Sequence, residues 1–343
     1  MMRPDYIYII TRAHGLSTHL FTEDDYKSFV RLPDIVSFAE AVSKGDYIRK
    51  IGSIPREQIN GKTLASAFGE VYVERFLYAI KISSGKVKNF VDMFVRRIEI
   101  ENIKRILRAK FSGRAVSEED LIKVPREFTY VNIVAMLESP TFDDALYHLT
   151  PSPYKEAIEF SQYAKSIGSP FPVELGIETE YFRRVVNTAS KVKKGREVEK
   201  LLKVEYGTKL IYYILSIKIL GGQVIYLEKY SDKMSRLMLI EPYIFNDFIR
   251  AKEDTALDVL NRSGYKWIVK YIEESVLKRS VSDLYYWSSK AFKEYAESYA
   301  ARNPLNLVFL LWYLYSVEFE YRNLYTIALA KELDVKPEDI PIL

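Results

Sequence analysis

The chain of 343 residues contains no cysteine, which excludes a disulfide framework and any thiolate metal site. Histidine is almost as scarce. His14, His19 and His148 are the only three, and they form no HExxH or other close ligand pattern, so no metal site is expected. Glutamine occurs only at Gln58, Gln162 and Gln223 while Lys and Glu abound, a balance that fits a heat-adapted intracellular protein. The 14 glycines and 13 prolines make up about 8% of the chain, against roughly 12% in average usage. So few punctuating residues favour helices over hairpins. Long apolar runs are missing too: the longest, Leu305 to Val317, is interrupted by Asn306 and spans about two thirds of the ~20 residues a bilayer needs. The opening MMRPDYIYIITRAHG has no signal-peptide core or cleavage site. A soluble protein with only peripheral membrane contact is the expectation.

What is present points to a folded, helical chain. A hydrophobic fraction of 48% is normal for proteins that bury real cores, and the length allows two or three domains. Thr22-Glu-Asp-Asp25, Ser117-Glu-Glu-Asp120 and Thr141-Phe-Asp-Asp144 each read as a helix start, a capping hydroxyl followed by acids in the first turn. Pro33, Pro304 and Pro337 are candidate helix openers, and Gly85, Gly113, Gly168 and Gly221–Gly222 are candidate stops. Val73, Phe76, Leu77 and Ile80 step at helical spacing. The best strand candidate is Gln223–Leu227.

No catalytic constellation emerges. The sequence has no GxxxxGK[ST] loop and no GxGxxG, so no nucleotide cofactor is expected by these routes. A Ser–His–Asp triad would need one of three histidines, none in a nucleophile context. Glu99 and Glu101 point to different helix faces, which argues against a shared-proton pair. Basic stretches at Arg75–Arg114 and Arg183–Lys203 read either as solvated helix faces balanced by Glu, as a nucleic-acid stripe, or as a contact with an acidic partner or lipid headgroups. The net charge of only +4 favours the first. The 27 tyrosines read as helix-interface residues rather than a binding groove.

The informative feature is an internal repeat. Glu99-Ile-Glu-Asn102-Ile-Lys-Arg-Ile106-Leu-Arg-Ala-Lys110 returns as Glu320-Tyr-Arg-Asn323-Leu-Tyr-Thr-Ile327-Ala-Leu-Ala-Lys331. Between them, Leu210-Ile-Tyr-Tyr-Ile214-Leu-Ser-Ile-Lys218 keeps the apolar positions and the Lys but has Gly207 for Glu and Leu210 for Asn. Glu74-Arg-Phe76, Glu180-Tyr-Phe182 and Glu294-Tyr-Ala296 precede the three copies at similar distances. The predicted organisation is all-α, in three similar helical domains: residues 1–116, 117–224 and 225–343. On a helix, Glu99, Asn102, Ile106 and Lys110 share one face. Asn is a poor interior helix former. Glu99, Asn102, Glu320 and Asn323 are therefore candidates either for a polar network that pins helix register or for a polar surface toward a partner.

The stretch Arg96–Lys110 resembles the acidic–Asn–Leu–Arg helix of the C-type subunit family of rotary ATPases, whose eukaryotic V-type members are the d-type subunits. Leu314–Lys331 resembles that family's closing signature, with Val317 where Lys or Arg is usual, and Val335–Ile340 matches its short post-helix segment. Tyr6–Arg12 resembles its opening helix. The resemblance implies three helical domains in a pseudo-threefold funnel. It also implies a non-catalytic coupling role in an archaeal A-type enzyme, peripheral at the cytoplasmic face of the membrane. The implied partners are the central shaft subunits, of D and F type, and the membrane proteolipid ring. The membrane stator is a further candidate, and nucleic acid and small-molecule substrates are not expected. Candidate shaft contacts are Arg96, Arg97, Glu99, Arg105, Arg108, Glu318, Glu320, Arg322 and Lys331. A helical RNA-binding protein is the alternative.

Overall fold

A computed structural model describes residues 4–343. Among them are eighteen α-helices and seven short 3₁₀ turns, with no strand. The chain divides into two compact units: 1–95 with 117–126 and 300–343, and 96–116 with 127–299.

The first unit holds α1 (Pro4–Ser17), α2 (Glu23–Arg31), α3 (Ile35–Val42), α4 (Ile48–Ile51), α5 (Gly61–Lys81), α6 (Gly85–Val95) and the last long helix (Leu307–Glu332). Thr22 starts α2 with a complete capping box closed by Asp25. α5 packs lengthwise on the last helix, with the Tyr72 and Tyr321 rings stacked at 5.0 Å. Phe29, Phe38, Tyr47 and Phe68 make a chain of edge-on aromatic contacts beneath α2 and α3, the arrangement their ring quadrupoles favour.

The second unit contains α7 (Arg97–Phe111), α8 (Ile133–Glu138), α9 (Phe142–Tyr147), α10 (Ser161–Ser166), α11 (Phe171–Ser190), α12 (Arg196–Ile219), α13 (Ser231–Ser235), α14 (Pro242–Arg250), α15 (Glu253–Asn261), α16 (Lys266–Leu277) and nearly all of α17 (Val281–Ala301). The last helix, in the first unit, is α18. α11 and α12 pack as a hairpin. Gly176 lets the segment 155–160 lie against α11: a Cβ there would stand 2.9 Å from the Ala157 Cα.

Three local expectations change. Ile225–Tyr230 is a 3₁₀ helix rather than part of a strand; Val224 and Leu227 are buried three residues apart, which suits a three-residue turn. Pro33 and Pro304 stand just outside their helices, because Asp34 and Asn306 cap α3 and α18 with their side chains. Gly85 opens α6 instead of ending α5. Of the tyrosines, Tyr154, Tyr181, Tyr206, Tyr265, Tyr313 and Tyr315 are fully buried.

Candidate functional site

The motif residues lie on α7 and α12 in the second unit and on α18 in the first. In the first unit, Glu320 on α18 is buried. Its carboxylate accepts the Phe21 N–H at 2.7 Å, the Tyr47 hydroxyl at 2.7 Å and the guanidinium of Arg75 from α5. Arg75 also donates to Asp46 at 2.9 Å and lies over the Tyr47 ring. Burial works against the Arg75 cation, but the adjacent Glu320 charge wins and holds its pKa above the usual arginine range. Asn323, one turn on, pairs with the Leu343 backbone through both amide atoms, at 2.8 and 2.9 Å. Lys331 donates to the carbonyls of Val30, at 3.1 Å, and Leu32, at the open end of α2.

In the second unit, Glu99 on α7 is also buried. It accepts the N–H groups of Tyr130 and Val131, the latter at 2.7 Å, and the Tyr154 hydroxyl at 3.0 Å. Burial raises its pKa, and those three donors offset part of the rise. Asn102 is buried on the same helix. At the corresponding point of α12, the ring of Tyr265 fills the space beside Gly207. Its hydroxyl donates to the Lys203 carbonyl at 2.8 Å and accepts the Leu239 N–H at 3.1 Å. Lys218 donates to the carbonyls of Ile249, at 2.9 Å, and Ala251. Burial pulls its ammonium down to about 8, while the Glu253 charge acts in the opposite direction.

Of the candidate shaft contacts, Arg96, Arg97, Glu99, Arg105 and Arg108 fall in the second unit, and Glu318, Glu320, Arg322 and Lys331 in the first. Their environments differ sharply. Arg97 is buried against Glu205. Arg108 forms two bonds with the buried Glu174, at 2.7 and 2.6 Å. Arg96 lies over the Tyr130 ring at 3.8 Å. Arg105 pairs with Glu101 at 3.3 Å and Arg322 with Glu318 at 2.6 Å, both one turn away on partly exposed helix faces.

Sequence reasoning did not single out the acids opposite α7. Glu174 and Glu178, four residues apart on α11, face Arg108 and Lys104, with Lys104 to Glu178 at 2.8 Å and Lys209 to Glu178 at 3.2 Å. The signal that could have found them is the matching helical spacing of Lys104 and Arg108 on α7. With Arg97 on Glu205, Lys104 on Glu178 and Arg108 on Glu174, three cations of the Arg75–Arg114 stretch are matched by acids of the same unit, and no observation supports a nucleic-acid stripe there.

Glu178 carries a pH prediction. Burial alone would raise its pKa, but Lys104 and Lys209 lower it from 4.5 to about 2. The unfolded chain therefore takes up a proton first as pH falls. The stabilisation is whole above about pH 4.5 and is lost as pH falls from there toward about 2. In urea titrations, Glu178→Gln is expected to be less stable at pH 7 and to show a flatter decline across that window. An unchanged slope would remove Glu178 from the acid limb.

Among the described residues, no group of three or more His, Asp or Glu side chains could hold a metal ion. No helix there is long and apolar enough to cross a membrane. The ATP synthase (C/AC39) subunit family model matches residues 9–341. The C-type subunit of the A-type ATP synthase from Pyrococcus furiosus is 23% identical, covering 98% of this chain and 89% of its own. The proteins of the same name from Methanocaldococcus jannaschii and Methanosarcina acetivorans are 22% and 20% identical, covering 98% and 96% of this chain and 85% and 90% of theirs.

Proposed function

The chain belongs to the ATP synthase (C/AC39) subunit family, and from that premise we propose that it is the non-catalytic coupling component of an A-type rotary ATPase or ATP synthase. In this reading it is a socket between the central shaft and the membrane proteolipid ring, peripheral at the cytoplasmic face. The observation that carries it is the family match through both compact units, from residue 9 to residue 341. Transmission without slip needs a stiff body. Buried ion pairs such as Arg75–Glu320 and Lys104–Glu178 suit that need, because neither partner can leave without stranding the other's charge.

The three-domain organisation, with boundaries near 116 and 224, remains part of this proposal. So do the partners: shaft subunits of D and F type, the ring, and the membrane stator as a further candidate. The shaft contacts are proposed on the accessible members of the polar set, Arg96, Arg105, Arg108, Glu318, Arg322 and Lys331. Arg97, Glu99 and Glu320 act from inside, by holding those helices in place.

The test is a binding titration of the pure protein against the shaft subunits, with ATP turnover followed in parallel. Binding is expected to weaken as salt rises, because partly exposed charges are screened over roughly 8 Å at physiological ionic strength. It should weaken further in Arg105→Glu and Arg322→Glu, and no turnover should occur. Sustained turnover abolished by a single substitution, or no binding to shaft or ring at any salt, would refute the coupling role. Salt-independent binding that survives both reversals would move the contact to the apolar helix ends.

A further inference from the structure

Glu320 and Lys331 stand about three turns apart on α18 and hold the two ends of one short helix. The carboxylate takes the Phe21 N–H just before the Thr22 cap of α2, and the ammonium reaches the Val30 and Leu32 carbonyls at its other end. Each charge has the sign that complements the helix dipole at the end it meets. The same plan returns on α12 and α14. Lys218 takes the carbonyls of Ile249 and Ala251 at the end of α14, and the Leu239 N–H ahead of α14 is taken by the Tyr265 hydroxyl. On α7, Glu99 takes the N–H groups of Tyr130 and Val131, just ahead of the Asn132 cap of α8.

A tyrosine accompanies each site. Tyr47 and Tyr154 donate to the carboxylates of Glu320 and Glu99. Tyr265 instead occupies the place of the absent side chain and bonds to the backbone of α12 itself.

We propose that these are copies of one clamp on a short helix, that Tyr265 stands in for the missing carboxylate in the second, and that the helix group at 239–277 is consequently the first part of the fold to open. Bonds to an ionised acceptor are roughly twice as strong as neutral ones. The first and third clamps have such an acceptor. The second joins its N–H only to a phenol, so its helix group has the weaker polar attachment, and local opening follows the weakest attachment.

The experiment is hydrogen exchange followed by mass spectrometry on the full-length chain at pH 7, comparing peptides covering 21–32, 131–138 and 239–251. The last should exchange fastest in the unsubstituted protein. Tyr265→Phe should accelerate it by about tenfold, the loss expected when a half-buried N–H is left without its acceptor, and leave 21–32 unchanged. Glu320→Gln should do the reverse. Should Tyr265→Phe not fold, Lys218→Met tests the other end of the same clamp and must accelerate 239–251 alone. Equal protection of 239–251 and 21–32 in the unsubstituted protein overturns the proposal, as does acceleration of all three peptides together. The measurement uses the chain by itself, so a failure here leaves the coupling role standing.

Discussion

Glu320→Leu should lower the stability of the protein by about 3–5 kcal/mol, the usual cost of removing one partner of a buried ion pair. Three groups lose their acceptor at once: the Arg75 guanidinium, the Tyr47 hydroxyl and the Phe21 N–H. Arg75 is the costliest, since it is buried and its remaining carboxylate, Asp46, is half exposed. Removing both charges should be far milder than removing one, because an apolar pair of similar volume needs no counter-charge. Arg75→Met combined with Glu320→Leu is therefore expected to recover much of the loss. Urea unfolding of the two single variants and the double variant measures this directly. If the double variant loses the full sum of the two single effects, the pair is not coupled and Glu320 acts only through the backbone and Tyr47.

The second large effect comes from restoring the repeat to regularity. Gly207→Glu gives α12 the residue that α7 and α18 carry, yet it should destabilise the chain by about 3 kcal/mol or more, the upper end of overpacking costs. A Cβ at Gly207 would lie 2.0 Å from the Tyr265 hydroxyl oxygen and 2.2 Å from the ring carbon that bears it. That ring is fully buried, so it has no solvent to swing into. Even Gly207→Ala should be poorly tolerated. Shrinking the occupant reverses the argument: Tyr265→Ser combined with Gly207→Glu opens the space and supplies a carboxylate for the Leu239 N–H. Thermal or urea melts of the single and double variants decide it. A Gly207→Glu variant as stable as the parent would mean that Tyr265 yields without cost and is no substitute for the acid.

The helical class, the starts at Thr22 and Thr141, and the repeated Glu–Asn–Ile–Lys face were all legible in the sequence. Each depends on groups within one to three turns of each other, so the pattern and the physics share the same short range. Gln223–Leu227 was misread because an apolar run that short has no period of its own to separate strand from turn.

Which partners the polar residues meet was decided by tertiary structure alone. Arg75 meets Glu320 across 245 positions of sequence, and Arg108 meets Glu174 across 66; helical spacing shows which side chains share a face, not which distant residue each of them meets. Arg97, Glu99 and Glu320 are buried, each with partners in its own unit. The sequence determined that the middle copy had lost its acid at Gly207. That Tyr265 fills the resulting space depends on a distant chain segment arriving there, where packing rather than periodicity selects the side chain.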